Sequence, residues 1–299
     1  MENTNFKSGF VSVIGRPNAG KSTLINHIVG EKISIISRKP QTTRNKILAI
    51  YQDEESQIIL IDTPGVHTPK NKLGNYMVKA AYSSLADSDL ILLIVDGNKG
   101  EAALDDRIIE NLKKANLPVI LLINKVDLMK KEDILALISC FSERFQFETI
   151  VPISALKGVG LVDLLKEIKK FMPYGPKYFP DDAVTDQTER QLVSEMVREK
   201  ILNYLHQEIP HGVAVMVDSM NQRESGGYHI EVTVVCERSS HKMIIIGKKG
   251  EMLKRIGTSA RRDIESMLGE KCFLDIWVKV KDEWRDNEAQ IKNFGYVEE

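Results

Sequence analysis

The sequence predicts an α/β domain with a doubly wound, mostly parallel sheet, followed by a smaller α+β domain. Three observations lead there. Residues 89–96, apolar between Asp89 and Asp96, and 118–123, apolar throughout, read as parallel strands covered on both faces, and they alternate with segments of helical period. Residues 173–182 hold three prolines and a glycine, which interrupts both periods. Beyond them the order becomes helix, strand, strand, helix, helix, strand. The expected domains are 1–173 and 186–299, with 174–185 as linker.

With 299 residues the chain is long enough for two cores, and 42% hydrophobic with 28% charged residues is the composition of a globular protein rather than a disordered one. Overall, 41 basic residues against 42 acidic ones give −1, which argues against a general polyanion binder. The balance is uneven: residues 1–180 carry 24 basic and 20 acidic side chains (+4) and the remainder 17 and 22 (−5), so any nucleic-acid site must be a local patch. Cys140, Cys236 and Cys272 lie far apart without metal or redox spacing and read as reduced core thiols. Residues 1–5 lack the features of a signal peptide, and no apolar run approaches the ~18 residues needed to cross a bilayer.

In chain order, the apolar run 10–14 reads as a strand and 23–29 as a helix ending at Gly30. Between them, Gly15-Arg16-Pro17-Asn18-Ala19-Gly20-Lys21-Ser22 matches the phosphate-loop pattern without a mismatch. Such a loop turns its N–H groups inward and adds the positive end of the following helix, so these residues and Thr23 are candidate polyphosphate contacts. Lys21 would reach the β- and γ-phosphates, and the Ser22 hydroxyl would ligate Mg²⁺. Residues 38–44 form a polar loop in which Thr42 or Thr43 is placed to complete the Mg²⁺ shell and sense the γ-phosphate.

Residues 46–51 and 57–61 read as strands, the second running into Asp62-Thr63-Pro64-Gly65. Asp62 would hold Mg²⁺ through water, and the Gly65 N–H would bond the γ-phosphate. The next residue is Val66, where a water-orienting Gln stands in Ras-like enzymes, and His67 is expected to face solvent. Residues 105–116 read as a crossover helix. The strand 118–123 then enters Asn124-Lys125-Val126-Asp127, the pattern of guanine readers. Asp127 would accept the guanine N1 and N2 hydrogens and Asn124 would bond the ring edge. Adenine offers Asp127 no donor, leaving a buried carboxylate unpaired at a cost of about 1–3 kcal/mol. Ser154, Ala155 and Leu156 follow the strand 149–153 as a loop suited to backbone contact with the base, and 160–172 closes the domain as a helix.

In the second domain a helix is expected over 188–206, with Leu192, Met196, Ile201, Leu202 and Leu205 as its stripe, then strands 211–220 and 228–237. An apolar helix from Ser239 enters Gly247-Lys248-Lys249-Gly250, and a second helix, 251–268, leaves it before a strand at 273–280. Helix, G-x-x-G, helix is the arrangement of a KH module, which clamps single-stranded nucleotides. Residues 238–262 hold eight Lys or Arg, among them Lys242, Lys248, Lys249, Lys254, Arg255, Arg261 and Arg262, against Glu251 alone. That basic stretch is the expected RNA surface. His241 reads as a helix-start residue, and Trp277 and Trp284 as core or rim residues.

On these motifs, with Gln41-Thr42-Thr43-Arg44 and the linker Tyr178-Phe179-Pro180-Asp181-Asp182 added, the chain resembles the Era family of bacterial GTPases over nearly its whole length. The resemblance implies a P-loop GTPase domain and a type II KH fold. It also implies GTP hydrolysis with Mg²⁺, binding of 16S rRNA near its 3′ end, and action in 30S subunit assembly. A cytoplasmic monomer with peripheral association at the inner face of the membrane is implied as well. Catalysis would rest on Lys21, Asn18, Thr42, Thr43 and Gly65, with Asn18 holding a K⁺ in some relatives. The runners-up are an Era-like GTPase acting on another RNA, and an RNA-binding scaffold whose nucleotide site only stabilises the fold.

Overall fold

The computed structural model describes residues 5–37, 39–206 and 208–297. Residues 1–4, read above for targeting, and Arg38 of the polar loop lie outside them. By their contacts the residues fall into two units. One comprises Met1–Ile36, Thr43–Thr68 and Met77–Asp186, and the other Ser37–Thr42, Pro69–Tyr76 and Gln187–Glu299.

The first unit contains β1 (Lys7–Ile14), α1 (Lys21–Val29), β2 (Ile47–Gln52), β3 (Ser56–Asp62), most of α2 (Lys72–Ser83), β4 (Leu90–Asp96), α3 (Asp106–Ala115), β5 (Val119–Asn124), α4 (Lys131–Arg144), β6 (Thr149–Ile153) and α5 (Leu161–Phe171). Its sheet has the order β2-β3-β1-β4-β5-β6, parallel throughout except for β2 against β3. Each central strand feeds two cores through its alternation. Leu90, Leu92 and Ile94 join Leu24 and Ile25 of α1 and Leu164 and Ile168 of α5. Ile91, Leu93 and Val95 join Ile108 and Leu112 of α3 and Leu137 and Phe141 of α4.

Both faces are therefore apolar, which is why these strands show no polar alternation. α2 and α4 were not anticipated above, although Leu73, Met77 and Ala81 recur every four residues, as do Leu137 and Phe141. The residues read as linker are fastened to this unit: Tyr174 bridges Lys7, Thr185 bridges Ala49, and the N–H groups of Tyr178 and Phe179 donate to Gln57.

The second unit contains α6 (Glu189–Tyr204), β7 (Ala214–Gln222), β8 (Tyr228–Cys236), α7 (Ser239–Ile246), α8 (Glu251–Leu268), β9 (Cys272–Val280) and α9 (Glu288–Asn293). Thr188 and Gln191 close α6 with a capping box. The sheet order is β7-β8-β9, with β8 antiparallel to β7 and parallel to β9. Ile230, Val232, Val234, Cys272 and Val278 meet Val193 and Val197 of α6, Ile245 of α7 and Ile256, Ala260 and Ile264 of α8 in one core.

Met196, Ile201, Leu202 and Leu205 of the expected α6 stripe are buried, joined by Val193 and Val197, while Leu192 is only half-buried. His211 belongs to a short turn of helix, not to a strand. Trp284 is fully buried and donates to the Gly212 carbonyl at 2.9 Å, whereas Trp277 is exposed. Within this unit the buried Arg198 pairs with Glu195 and donates to the Thr42 carbonyl, and Lys72 meets Glu288 at 2.8 Å.

Candidate nucleotide site and RNA groove

The phosphate loop leaves β1 and enters α1 as its residue types dictate. Lys21 is buried, and its Nζ donates to the Gly15 and Arg16 carbonyls, both at 3.2 Å. Burial pushes its pKa down to about 8, opposed by the Asp62 carboxylate. The Ser22 hydroxyl donates to Asp62 Oδ2 at 2.8 Å and lies 3.0 Å from the Thr43 hydroxyl, which is 3.3 Å from the same oxygen.

Asp62 Oδ1 is buried without a hydrogen-bond partner, and burial raises the Asp62 pKa against the opposing effect of Lys21 and the nearby hydroxyls. Two hydroxyls and a carboxylate with an unsatisfied oxygen form the hard-oxygen donor set that Mg²⁺ takes, so these residues fit that ion. Of the two threonines left open by sequence, Thr43 is at this cluster. Thr42 instead donates its hydroxyl to the Lys39 carbonyl at 2.7 Å.

Gly65 lies against the phosphate loop: a Cβ there would come within 2.8 Å of both Pro17 N and Cα. Thr63 is structural, donating to the Val13 carbonyl at 2.7 Å, and Pro64 is buried beside it. Val66 is buried in the core and its N–H bonds Gly15. His67 departs from the expected solvent-facing residue. It is half-buried, with Nδ1 2.7 Å from the Gly65 carbonyl, because the turn folds its ring back onto the backbone two residues earlier. Asn18 stands exposed at the loop tip in a left-handed conformation, Ala19 is buried, and Arg16 reaches the Ala102 carbonyl. Thr23 is half-buried in the first turn of α1.

At the base end, Asn124 clamps two loops, donating to the Ala19 carbonyl at 2.7 Å and accepting from the Ala155 N–H at 2.9 Å. An amide carries two hydrogens, so one remains for a ring edge. Lys125 pairs with Asp96 at 2.6 Å, a partner sequence reasoning missed although Asp96 ends β4 beside Asn124. Asp127 accepts from the Ser154 hydroxyl at 2.6 Å. Asp127 is exposed here, not buried as expected, because it follows β5 on a short turn at the rim. The penalty against adenine therefore arises only once a base covers it. Ser154 and Ala155 are buried and Leu156 is exposed.

In the second unit, Gly247 holds φ 74°, and a Cβ there would come within 2.9 Å of the Met252 N, so the loop requires glycine. Lys248 and Lys249 project into solvent. Beside them, a groove of about 300 Å³ runs between α8 and β9, lined by Gly250, Leu253, Lys254, Gly257, Thr258, Arg261, Phe273, Leu274 and Ile276. Helical spacing spreads the basic residues of α8 over two adjoining cavities that share Lys254 and Thr258. Lys254 and Arg261 reach the groove, and Lys254 also lines, with Arg255 and Arg262, an adjoining cavity of about 340 Å³ in which Arg255 lies 4.4 Å over the Tyr204 ring. Lys242 is half-buried on α7. Phe273, exposed at the groove, escaped sequence reasoning although it is a large aromatic on the solvent-facing phase of its strand.

The chain matches the family models described as 50S ribosome-binding GTPase over residues 10–125 and KH domain over residues 208–285. It is 53% identical to GTPase Era of Clostridium kluyveri over 97% of this chain and 99% of that protein, and 53% identical to GTPase Era of Clostridioides difficile over the same shares. Two solved structures each superpose with a TM-score of 0.95 at 40% identity, over 98% of this chain and 100% of theirs. One is Era in complex with MgGDPNP and nucleotides 1506–1542 of 16S ribosomal RNA, the other a point variant of Aquifex aeolicus Era bound to GDP and aluminium fluoride. With its phosphate loop, guanine-reading loops and G-x-x-G module in one order and these relatives matched end to end, the chain belongs to the Era family of GTPases.

Proposed function

We propose that the chain is a GTP-hydrolysing switch that binds 16S rRNA near its 3′ end and acts in assembly of the 30S subunit. The observation that carries the enzymatic part is the convergence of Ser22, Thr43 and Asp62 beside the buried Lys21. Lys21 would exchange its loop carbonyls for the β- and γ-phosphates. Mg²⁺ would be held by the Ser22 and Thr43 hydroxyls with Asp62 behind them and would neutralise charge on the β- and γ-phosphates. Gly65 would give its N–H to the γ-phosphate, and Asp127, oriented by Ser154, would read guanine. Single-turnover phosphate release from GTP tests this: Lys21→Ala is expected to abolish it, and equal release by the variant would contradict it.

RNA is proposed to lie in the α8–β9 groove with its backbone clamped at Gly247–Gly250 and paired with Lys248, Lys249, Lys254 and Arg261. The exposed Phe273 offers a stacking face. Arg255, Arg262 and Lys242 would act on RNA from outside the groove. Domain bounds of 1–173 and 186–299 are retained as a proposal, with 174–185 joining them.

The contacts of Thr42 and Thr43 support a reading in which the nucleotide gates RNA binding. The Thr43 hydroxyl meets Ser22 and Asp62, while the carbonyl of the adjacent Thr42 accepts from Arg198 of α6. A γ-phosphate that repositions Thr43 would pull on its neighbour, which supports RNA affinity that depends on the nucleotide. With Val66 apolar, a K⁺ held at the exposed Asn18 would assist hydrolysis, and turnover is expected to be faster in KCl than in NaCl only when Asn18 is intact. No helix among the described residues is long and apolar enough to cross a membrane. We place the chain in the cytoplasm as a monomer, with peripheral membrane association.

A further inference from the structure

Phe273 apart, the outer face of the β7-β8-β9 sheet carries side chains that neither the nucleotide site nor the RNA groove uses. Ile230 and Val232 of β8 and Leu274 and Ile276 of β9 point toward the helices. Alternation therefore puts His229, Glu231, Phe273, Asp275 and Trp277 on the opposite face. On it, Glu231 stands directly across from Asp275 in the parallel register, with His229 two residues earlier on β8. Like charges opposite one another on neighbouring strands repel. Among the described residues, neither carboxylate has a lysine or arginine partner; Asp275 meets only His229, with Nε2 and Oδ2 3.0 Å apart.

We propose that His229, Glu231 and Asp275 form a binding site for a divalent transition-metal ion of the zinc class. One ligand atom from each residue lies within 4.8 Å of the other two. A tetrahedral zinc site with bonds of about 2.0–2.2 Å places its ligands about 3.4 Å apart, so closing the site asks only for a small inward swing of side chains on a rigid sheet. One imidazole with two carboxylates suits zinc, whereas Mg²⁺ and Ca²⁺ prefer all-oxygen shells. The supporting groups are present as well. The Ser219 hydroxyl donates to Glu231 Oε2 at 2.6 Å, and the Phe273 ring lies 5.5 Å from the His229 imidazole, restraining two of the three ligands. His229 and Asp275 side chains are each 39% exposed, leaving the remaining coordination positions open to water. The ion would cancel the Glu231–Asp275 repulsion and pin β8 to β9.

The test is calorimetric titration of the metal-stripped full chain, saturated with GDP and excess Mg²⁺, with ZnCl₂. One equivalent is expected to bind. Binding should weaken at least tenfold in His229→Ala and in Asp275→Asn, which keeps the size and the hydrogen-bonding edge of the residue it replaces. Cu²⁺, a fluorescence quencher, should quench the exposed Trp277, two residues from Asp275, and lose that effect in His229→Ala. An unchanged circular-dichroism spectrum and melting transition in both variants would show that the fold is intact. Absence of saturable zinc binding to the wild-type chain, zinc affinity unaltered by either substitution, or equal affinity for Mg²⁺ at this site would each overturn the proposal.

Discussion

Asp127 is exposed and accepts from the Ser154 hydroxyl at 2.6 Å, which leaves acceptor capacity for the proposed guanine. Replacing the carboxylate by an amide exchanges an acceptor for a donor. Asp127→Asn is therefore expected to weaken GTP by about 2 kcal/mol, some 30-fold, and to bind xanthosine triphosphate better than wild type does, as competitive titration will read. Gly65 makes a different demand. A methyl group there would meet the Pro17 backbone, so Gly65→Ala should hold GDP within a few-fold of wild type yet lose hydrolysis about 100-fold in single-turnover assays. Sequence spacing alone exposed Asp127 and Gly65, because their motifs are local. It left Thr42 and Thr43 open, because the choice rests on how the loop turns, and it placed Asp127 inside when the turn after β5 leaves it at the rim.

Helix α8 shows what helical spacing does to a charge count. Arg261 faces the groove, and removing its charge should lower the slope of log RNA affinity against log salt by about one. Arg255 lies over Tyr204 instead, so Arg255→Ala is expected to cost about 0.5–1 kcal/mol in urea unfolding. On β9, burial and the Glu265 carboxylate push the Cys272 thiol up to about 11. Far below that value the group is protonated, so a thiol reagent at pH 8 should label it only after unfolding. Strands and helices with strong period were legible in the sequence. The extent of β2, the antiparallel edge, and the short α9 were not, since pairing partners and tertiary contacts define them. The groove's apolar wall was missed for the same reason: Phe273, Leu274 and Ile276 acquire a common role only when β9 lies beside α8.

At the scale of the whole molecule, a net charge of −1 conceals a basic stretch, the proposed RNA surface, because Lys and Arg concentrate over residues 238–262 while acidic residues are spread elsewhere. The order of motifs made the two-domain organisation legible. What sequence could not show is that Ser37–Thr42 and Pro69–Tyr76, which neighbour the two nucleotide-sensing loops, group by their contacts with the unit that carries the KH elements. That grouping supports the proposed nucleotide gating, in which a shift in Thr43 would be passed by one peptide bond to Thr42. Coupling of about 1–3 kcal/mol is the usual range for two sites joined in this way. The most direct measurement is the dissociation constant for a 16S rRNA 3′-end fragment with the chain saturated by GDP or by Mg²⁺ and a non-hydrolysable GTP analogue. Gating predicts constants that differ at least about fivefold; identical constants would contradict it.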